Sequence, residues 1–369
     1  MRVLHFYKTF LPDTTGGGEQ VIRQLCLGGA AHGIESRVLT LSRKGGPSEL
    51  EVDGIHVTRL PQSVEIASCP MTWRGLDVYR RLARWADVIH LHYPWPFGDL
   101  VALLGPRRPI VITYHSDVVA QQRLMPLYRP LKNRLFKRAF RVVATSPQYA
   151  MSSPVLQRWA SKLEVVPLGI DPESYPRPDP QRQAAWRARL GEEFFLFVGV
   201  FRHYKGLPFL LDAVKGTGLQ VAMAGEGPLW DGVAGQVQGW PNVHLLGRIS
   251  DEDKMALLSL CRGVVFPSHL RAEAFGVFLL EAAMLGKPMI SCEIGTGSSY
   301  VNVDGETGMV IPPQDPLALR NAMQRLADDS ALAEELGRGA ARRFDELFRM
   351  TKVNAAYAEV YRAALKASA

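Results

Sequence analysis

Cysteine is scarce in this chain. Cys26, Cys69, Cys261 and Cys292 are the only four in 369 residues, and none stands at the short paired spacing of a zinc or redox site. A disulfide framework is not expected, and the pattern suits a reducing compartment. Long apolar runs are missing too: none approaches the roughly 20 residues that a bilayer-spanning helix needs. The opening MRVLHFYKTF does not read as a secretory signal, because Arg2, His5 and Lys8 interrupt any apolar core. The expectation is a cytoplasmic protein, soluble or at most peripheral at a membrane. No His, Cys and carboxylate set has ligand spacing, so neither an essential metal nor another cofactor is expected. No Ser or Cys nucleophile signature is evident, and no nucleic-acid-binding module is recognisable.

What the chain does have is length for two domains and an uneven charge. Residues 1–170 hold 22 Lys and Arg against 12 Asp and Glu, a net of +10, whereas the remainder holds 21 against 24, a net of −3. Such asymmetry points the first half toward something anionic. The segment RPLKNRLFKRAFR places Arg129, Lys132, Arg134, Lys137, Arg138 and Arg141 among Leu131, Leu135, Phe136 and Phe140. It reads as a basic amphipathic helix, suited equally to a membrane surface or to covering a sheet.

Short apolar strand patterns alternate with helix-compatible stretches. RVLHF leads into the glycine-rich TTGGGEQ, an amphipathic segment (Val21, Ile22, Leu25, Leu27) and then ESRVLTL, a βαβ unit. DVIHLH, PIVITYH and RVVATS continue the series. Pro167, Pro172, Pro176, Pro178 and Pro180 then crowd a stretch that reads as a linker. A second series follows: FFLFVGV, LQVAMAG, VHLLG, GVVFPS, PMISC and GMVIPP. The fold class expected is α/β, two doubly wound Rossmann-like domains facing a central cleft, with ligands at the carboxyl ends of the strands. The domains are expected over 1–168 and 169–349, with the helical tail 350–369 closing the fold.

Several residues at those strand ends could carry chemistry. Gly16, Gly17 and Gly18 precede the first helix, where backbone without Cβ can approach a phosphate, although the triplet is equally a flexible turn and lacks the dinucleotide fingerprint. VGVFRHYKG sets Arg202 and Lys205 after the second domain's first strand, suited to a diphosphate. TYHSD places His115 after a strand of the first domain, where it could hydrogen-bond a hydroxyl or serve as acid or base. EAFGVFLLEAAMLGKP carries Glu273 before a helix and Glu281 within it, eight positions apart. Carboxylates at that spacing can each accept bonds from sugar hydroxyls, while the N–H groups at the helix start suit phosphate oxygens. SDEDKMALL, by contrast, reads as Ser250 capping a helix with acids in its first turn rather than as a metal site.

Together LHFYKTFLPDTTGGGEQVI, TYHSDVV, VVPLGID, AGEGPL, EAFGVFLLEAAMLGKP and VDGETGMVIPP resemble glycosyltransferase family 4, retaining enzymes of the GT-B fold. The resemblance covers nearly the whole chain and is nearest to bacterial mannosyl- and rhamnosyltransferases of O-antigen or A-band-type polysaccharide. It implies a GDP-sugar donor (a UDP-hexose being the runner-up, with a sugar-nucleotide epimerase or a catalytically silent GT-B subunit as the further alternatives), a lipid-linked oligosaccharide acceptor and peripheral contact with the anionic inner membrane at its cytoplasmic face. It implies Gly17 at the donor diphosphate, His115 at the transferring sugar, and Glu273 on the sugar hydroxyls beside the Phe275, Gly276 and Val277 backbone. Lys205, and Arg202 with it, would neutralise the leaving diphosphate, and Glu281 would take the ribose. Many relatives carry the arginine where this chain has Val200, which makes Arg202 the less secure of the two cations. The resemblance also implies that the tail 350–369 crosses back to the first domain.

Overall fold

The computed structural model describes residues 1–14, 16–45, 48–118 and 124–368. The chain divides into two compact units, one formed by Met1–Gly169 with Met350–Ala369 and the other by Ile170–Arg349.

In the first unit lie β1 (Arg2–Phe6), β2 (Glu35–Ser42), β3 (Glu49–Val52), β4 (Ile55–Pro61), β5 (Val64–Ile66), β6 (Cys69–Met71), β7 (Val88–Tyr93), β8 (Ile110–Tyr114), β9 (Arg141–Ala144) and β10 (Leu163–Val165). Eight of them form one sheet in the order β10-β9-β8-β7-β1-β2-β4-β3, while β5 and β6 pair as a separate ribbon. The apolar runs of β1, β7 and β8 are buried almost throughout, as a sheet covered on both faces requires. The sheet is parallel except for β3, which runs antiparallel to β4. The reason is local: Asp53 (φ +52°) and Gly54 (φ +80°) make a two-residue turn whose twist suits a hairpin. The basic segment forms the helix Met125–Arg138 and ends earlier than expected. Ala139, at ψ 140°, breaks it, and Arg141 begins β9.

The second unit holds β11 (Phe194–Val198), β12 (Gln220–Ala224), β13 (Val243–Gly247), β14 (Gly263–Phe266), β15 (Met289–Cys292) and β16 (Gly308–Ile311). They form a wholly parallel sheet in the order β13-β12-β11-β14-β15-β16. Phe195, Phe197, Leu210, Met223, Ile290 and Met323 are buried in its core, each contributing about 1.5–3 kcal/mol by leaving water. The proline-rich stretch is no free tether, since the second unit begins at Ile170. The Ile170 N–H donates to the Phe348 carbonyl at 3.0 Å, and Asp171 and Asp179 cap the short helices that follow.

Candidate active site

The order of the second sheet reverses direction between β11 and β14. At such a reversal the crossovers leave toward opposite faces and open a crevice at the strands' carboxyl ends. The chain exits β11 through residues 199–206 and β14 through residues 267–276. These loops are drawn together at Gly206 (φ +72°), where a Cβ would lie 2.0 Å from the Pro267 carbonyl oxygen. Only glycine fits both that backbone and that approach. The His269 N–H then donates to the Tyr204 carbonyl at 3.0 Å, pinning one loop to the other.

Lys205 and Glu273 meet here. The Lys205 ammonium donates to Glu273 Oε2 at 2.5 Å, and the Ser268 hydroxyl donates to the same oxygen at 3.1 Å. Both side chains are nearly covered, at 11% and 12% exposure, so their attraction is screened far less than on an open surface. Arg202 is exposed and stands outside this pair. Phe275 is buried, Gly276 takes a left-handed φ of +89°, and Val277 opens the helix Val277–Met284. A Cβ at Gly276 would press on the Phe266 ring at 3.0 Å, so this helix start too is built around glycine.

Glu281, one turn into that helix, has a lysine of its own. The Lys254 ammonium donates to Glu281 Oε1 at 2.8 Å and lies 2.8 Å from Asp251 Oδ1. Burial alone would lower the Lys254 pKa, but the Glu281 and Asp251 carboxylates outweigh it and raise the value above its ordinary one. Tyr175, from the proline-rich stretch, lies beside Glu281, and its phenol is pushed up by burial and by that carboxylate. A cavity of about 430 Å³ adjoins this cluster, lined by Gly199, Val200, Glu226, Arg248, Asp251 and Lys254 among others. The structure thus brings the two acids to one sheet end, each with its own ammonium. Sequence reasoning missed Lys254, Ser268 and Tyr175. Ser250 caps as expected, its hydroxyl accepting from the Asp253 N–H at 3.1 Å, and the lysine one position beyond Asp253 reaches a helix 27 residues away.

In the first unit Gly17 opens the helix Gly17–Gly29. The helix start already holds the buried Glu19 carboxylate, which accepts from the Thr14 hydroxyl at 2.6 Å, a feature the glycine pattern did not reveal. Thr15 of the glycine motif and Val119 of TYHSDVV lie outside the described residues. His115 follows β8, its N–H donating to the Tyr93 carbonyl at 3.0 Å. Behind it stand three buried histidines, His5, His90 and His92, whose ligand atoms all lie within 4.8 Å of one another. Linear spacing could not show this cluster, because parallel register sets His5 opposite His90 while His92 shares the face of His90 two residues on. Burial lowers His5 to about 3 and His115 to about 4, with Lys8 adding to the effect at His115.

Comparison with known proteins agrees with this architecture. Residues 179–343 match the model of group 1 glycosyl transferases and residues 15–174 that of Glycosyltransferase Family 4. A D-rhamnosyltransferase of Pseudomonas aeruginosa, WbpZ, is 50% identical over 351 residues, covering 94% of this chain and 92% of its own. The O-antigen chain mannosyltransferase C of Escherichia coli is 45% identical over 364 residues, 98% of each chain. Among solved structures, a sucrose-phosphate synthase of Thermosynechococcus elongatus superposes with a TM-score of 0.81 at 23% identity over the whole of both chains. The two Rossmann-like units are those of the GT-B fold, and the chain belongs to glycosyltransferase family 4.

Proposed function

We propose that this protein is a retaining hexosyltransferase that moves mannose or rhamnose from a GDP-sugar to a lipid-linked glycan of bacterial O-antigen. The observation that carries this reading is the pair of lysine–glutamate contacts, Lys205–Glu273 and Lys254–Glu281, at the strand ends of the second sheet. Support for the sugar and the pathway comes from the relatives described as a D-rhamnosyltransferase and an O-antigen chain mannosyltransferase.

The hard step is departure of the sugar from diphosphate, with positive charge growing at the anomeric carbon and negative charge on the leaving oxygen. Lys205, with Arg202 beside the same strand end, answers the second charge. Glu273 accepts from hydroxyls of the transferring sugar, next to the backbone of Phe275, Gly276 and Val277. Glu281, aimed by Lys254, takes the ribose hydroxyls. In the first unit, Gly17 is assigned to the diphosphate and His115 to the sugar. The leaving phosphate takes the acceptor proton on the face it vacates, so the configuration is kept without a protein nucleophile. Positioning and fixed charge supply the rate.

No metal is assigned to these steps, and transfer is expected to persist in chelator. No helix among the described residues is long and apolar enough to cross a membrane. Peripheral contact at the cytoplasmic face would use the helix Met125–Arg138, where Leu127 is 82% exposed and Arg129, Arg134 and Lys137 also face outward. Lys132 is buried, and Arg138 is engaged with the carbonyls of Ala102, Leu103 and Pro106, so neither joins that face.

The reading is tested by incubating the protein with GDP-mannose or GDP-rhamnose and a lipid-linked acceptor, then assigning the product's anomeric configuration by NMR. A product with the donor's configuration supports it, and an inverted product or hydrolysis alone overturns it. For the ribose end, Lys254→Met removes the ammonium from Glu281 and leaves Tyr175 beside it. Steady-state kinetics are expected to show the donor KM raised about tenfold or more with kcat changed far less, the signature of lost uniform binding.

A further inference from the structure

The row of imidazoles behind His115 lies outside the groups assigned to sugar transfer. His5 Nδ1 lies 3.2 Å from His92 Nε2, and His92 Nδ1 lies 2.9 Å from His115 Nε2. The rings of each linked pair lie within 20° of parallel, at 5.5 and 5.2 Å. His90 is tied off separately, its Nε2 to the Thr113 hydroxyl and its Nδ1 to the Tyr361 hydroxyl, both at 2.7 Å. Tyr357, from the same C-terminal helix as Tyr361, meets Thr113 at 2.7 Å. A metal on His5, His90 and His92 would have to displace these contacts, because both nitrogens of His90 and of His92 are already engaged. The groups facing the row are otherwise neutral hydroxyls, with Tyr7 against His92 and the Lys8 ammonium near His115.

Burial keeps all four imidazoles neutral near pH 7. A neutral imidazole has one N–H and one lone pair, so every link in a row must point the same way. If His115 Nε2 donates to His92, then His92 donates to His5, and His115 Nδ1 is left as an acceptor. If the row is reversed, His115 Nδ1 is left as a donor. Fixing one tautomer therefore fixes three.

We propose that His92, backed by His5, is a positioning residue that holds the ring plane and tautomer of His115, so that His115 Nδ1 meets the donor sugar in one defined hydrogen-bonding state. This rests on the assignment of His115 to the sugar. A second-row partner that orients a functional imidazole is a general device, and here it takes the form of a second and a third histidine.

The test uses the full chain labelled with ¹⁵N-histidine. Long-range ¹H–¹⁵N correlation spectra are expected to show His115 in a single neutral tautomer, and His92→Phe is expected to convert it to an averaged one. In the same variant kcat should fall about tenfold to a hundredfold with donor KM within about twofold. His92→Gln, whose amide both donates and accepts, should recover part of the loss. The double variant His92→Phe with His115→Ala should be no slower than His115→Ala alone. A mixed tautomer in the wild-type protein, an unchanged spectrum in His92→Phe, additive losses in the double variant, or stoichiometric zinc in the purified protein would each overturn the proposal. A fully active His115→Ala, beside a single His115 tautomer in the wild-type protein, would instead remove His115 from the sugar and leave the imidazole row standing as structure.

Discussion

Replacing Glu273 by glutamine is expected to lower kcat for sugar transfer about a thousandfold while the protein stays folded. The substitution keeps the shape and leaves a carbonyl oxygen for the Lys205 ammonium and the Ser268 hydroxyl, both of which now converge on Glu273 Oε2. In the role proposed for Glu273, it removes the negative charge beside the sugar and the carboxylate that would hold its hydroxyls. A thousandfold corresponds to about 4 kcal/mol of transition-state stabilisation, in the range of losing one preorganised electrostatic partner. Glu273→Ala should lose at least as much, with a second consequence. Breaking a covered pair strands Lys205, which costs about 3–5 kcal/mol when the remaining charge cannot reach water. At 11% exposure Lys205 is close to that limit, so the alanine variant should also unfold several degrees lower. Comparing rates and melting points of the two variants separates the chemical loss from the structural one. Asp251→Ala is the control. Its side chain is 71% exposed, and the Lys254–Glu281 contact survives without it, so a change within about twofold is expected.

Acid should unfold the first unit well before carboxylate titration alone would. His5, His90 and His92 are 0–2% exposed and are held neutral, while in an unfolded chain each takes a proton near pH 6.5. Their folded pKa values are depressed, so the unfolded state binds more protons below pH 6.5 and stability falls as pH falls. Together they remove about 6 kcal/mol by pH 5. Asp99 works the other way. Burial raises its pKa to about 7, so its cost to the fold, present at neutral pH, is relieved as it protonates. It returns about 2–3 kcal/mol over the same interval, leaving a net loss of about 3–4 kcal/mol. That is a large part of an ordinary stability margin. Hydrogen exchange at β1 and β7 between pH 8 and pH 5 reads the effect where it arises. His5→Phe, which cannot titrate, should flatten the net pH dependence by about half. An unchanged slope would show that the histidines are not the cause.

The fold class was legible because most strands are short apolar runs that need cover on both faces. RVLHF, FFLFVGV and PMISC state this directly. The hairpin of β3 and β4 was not, because ELEV alternates charged and apolar residues at a sheet edge and gives no buried run. In the candidate site Lys205, Glu273 and Glu281 each carried a local signal, a strand end or a helix start. Their partners did not. Lys254 sits in a turn whose capping chemistry explains the sequence completely, and its role follows only from packing against another helix. The histidine row depends on the register of three strands, which residue spacing along one chain does not encode.

The proposed function requires the second unit's strand ends to hold a guanosine diphosphate sugar through lysine and glutamate rather than through a metal. Calorimetric titration of the intact protein with GDP, UDP and ADP, with and without Mg²⁺, tests it most directly. The predicted result is binding of GDP at least tenfold tighter than UDP or ADP, unchanged by Mg²⁺ and lost in Lys205→Ala. Preference for UDP or ADP would contradict the assigned donor, and failure of all three to bind would contradict the site.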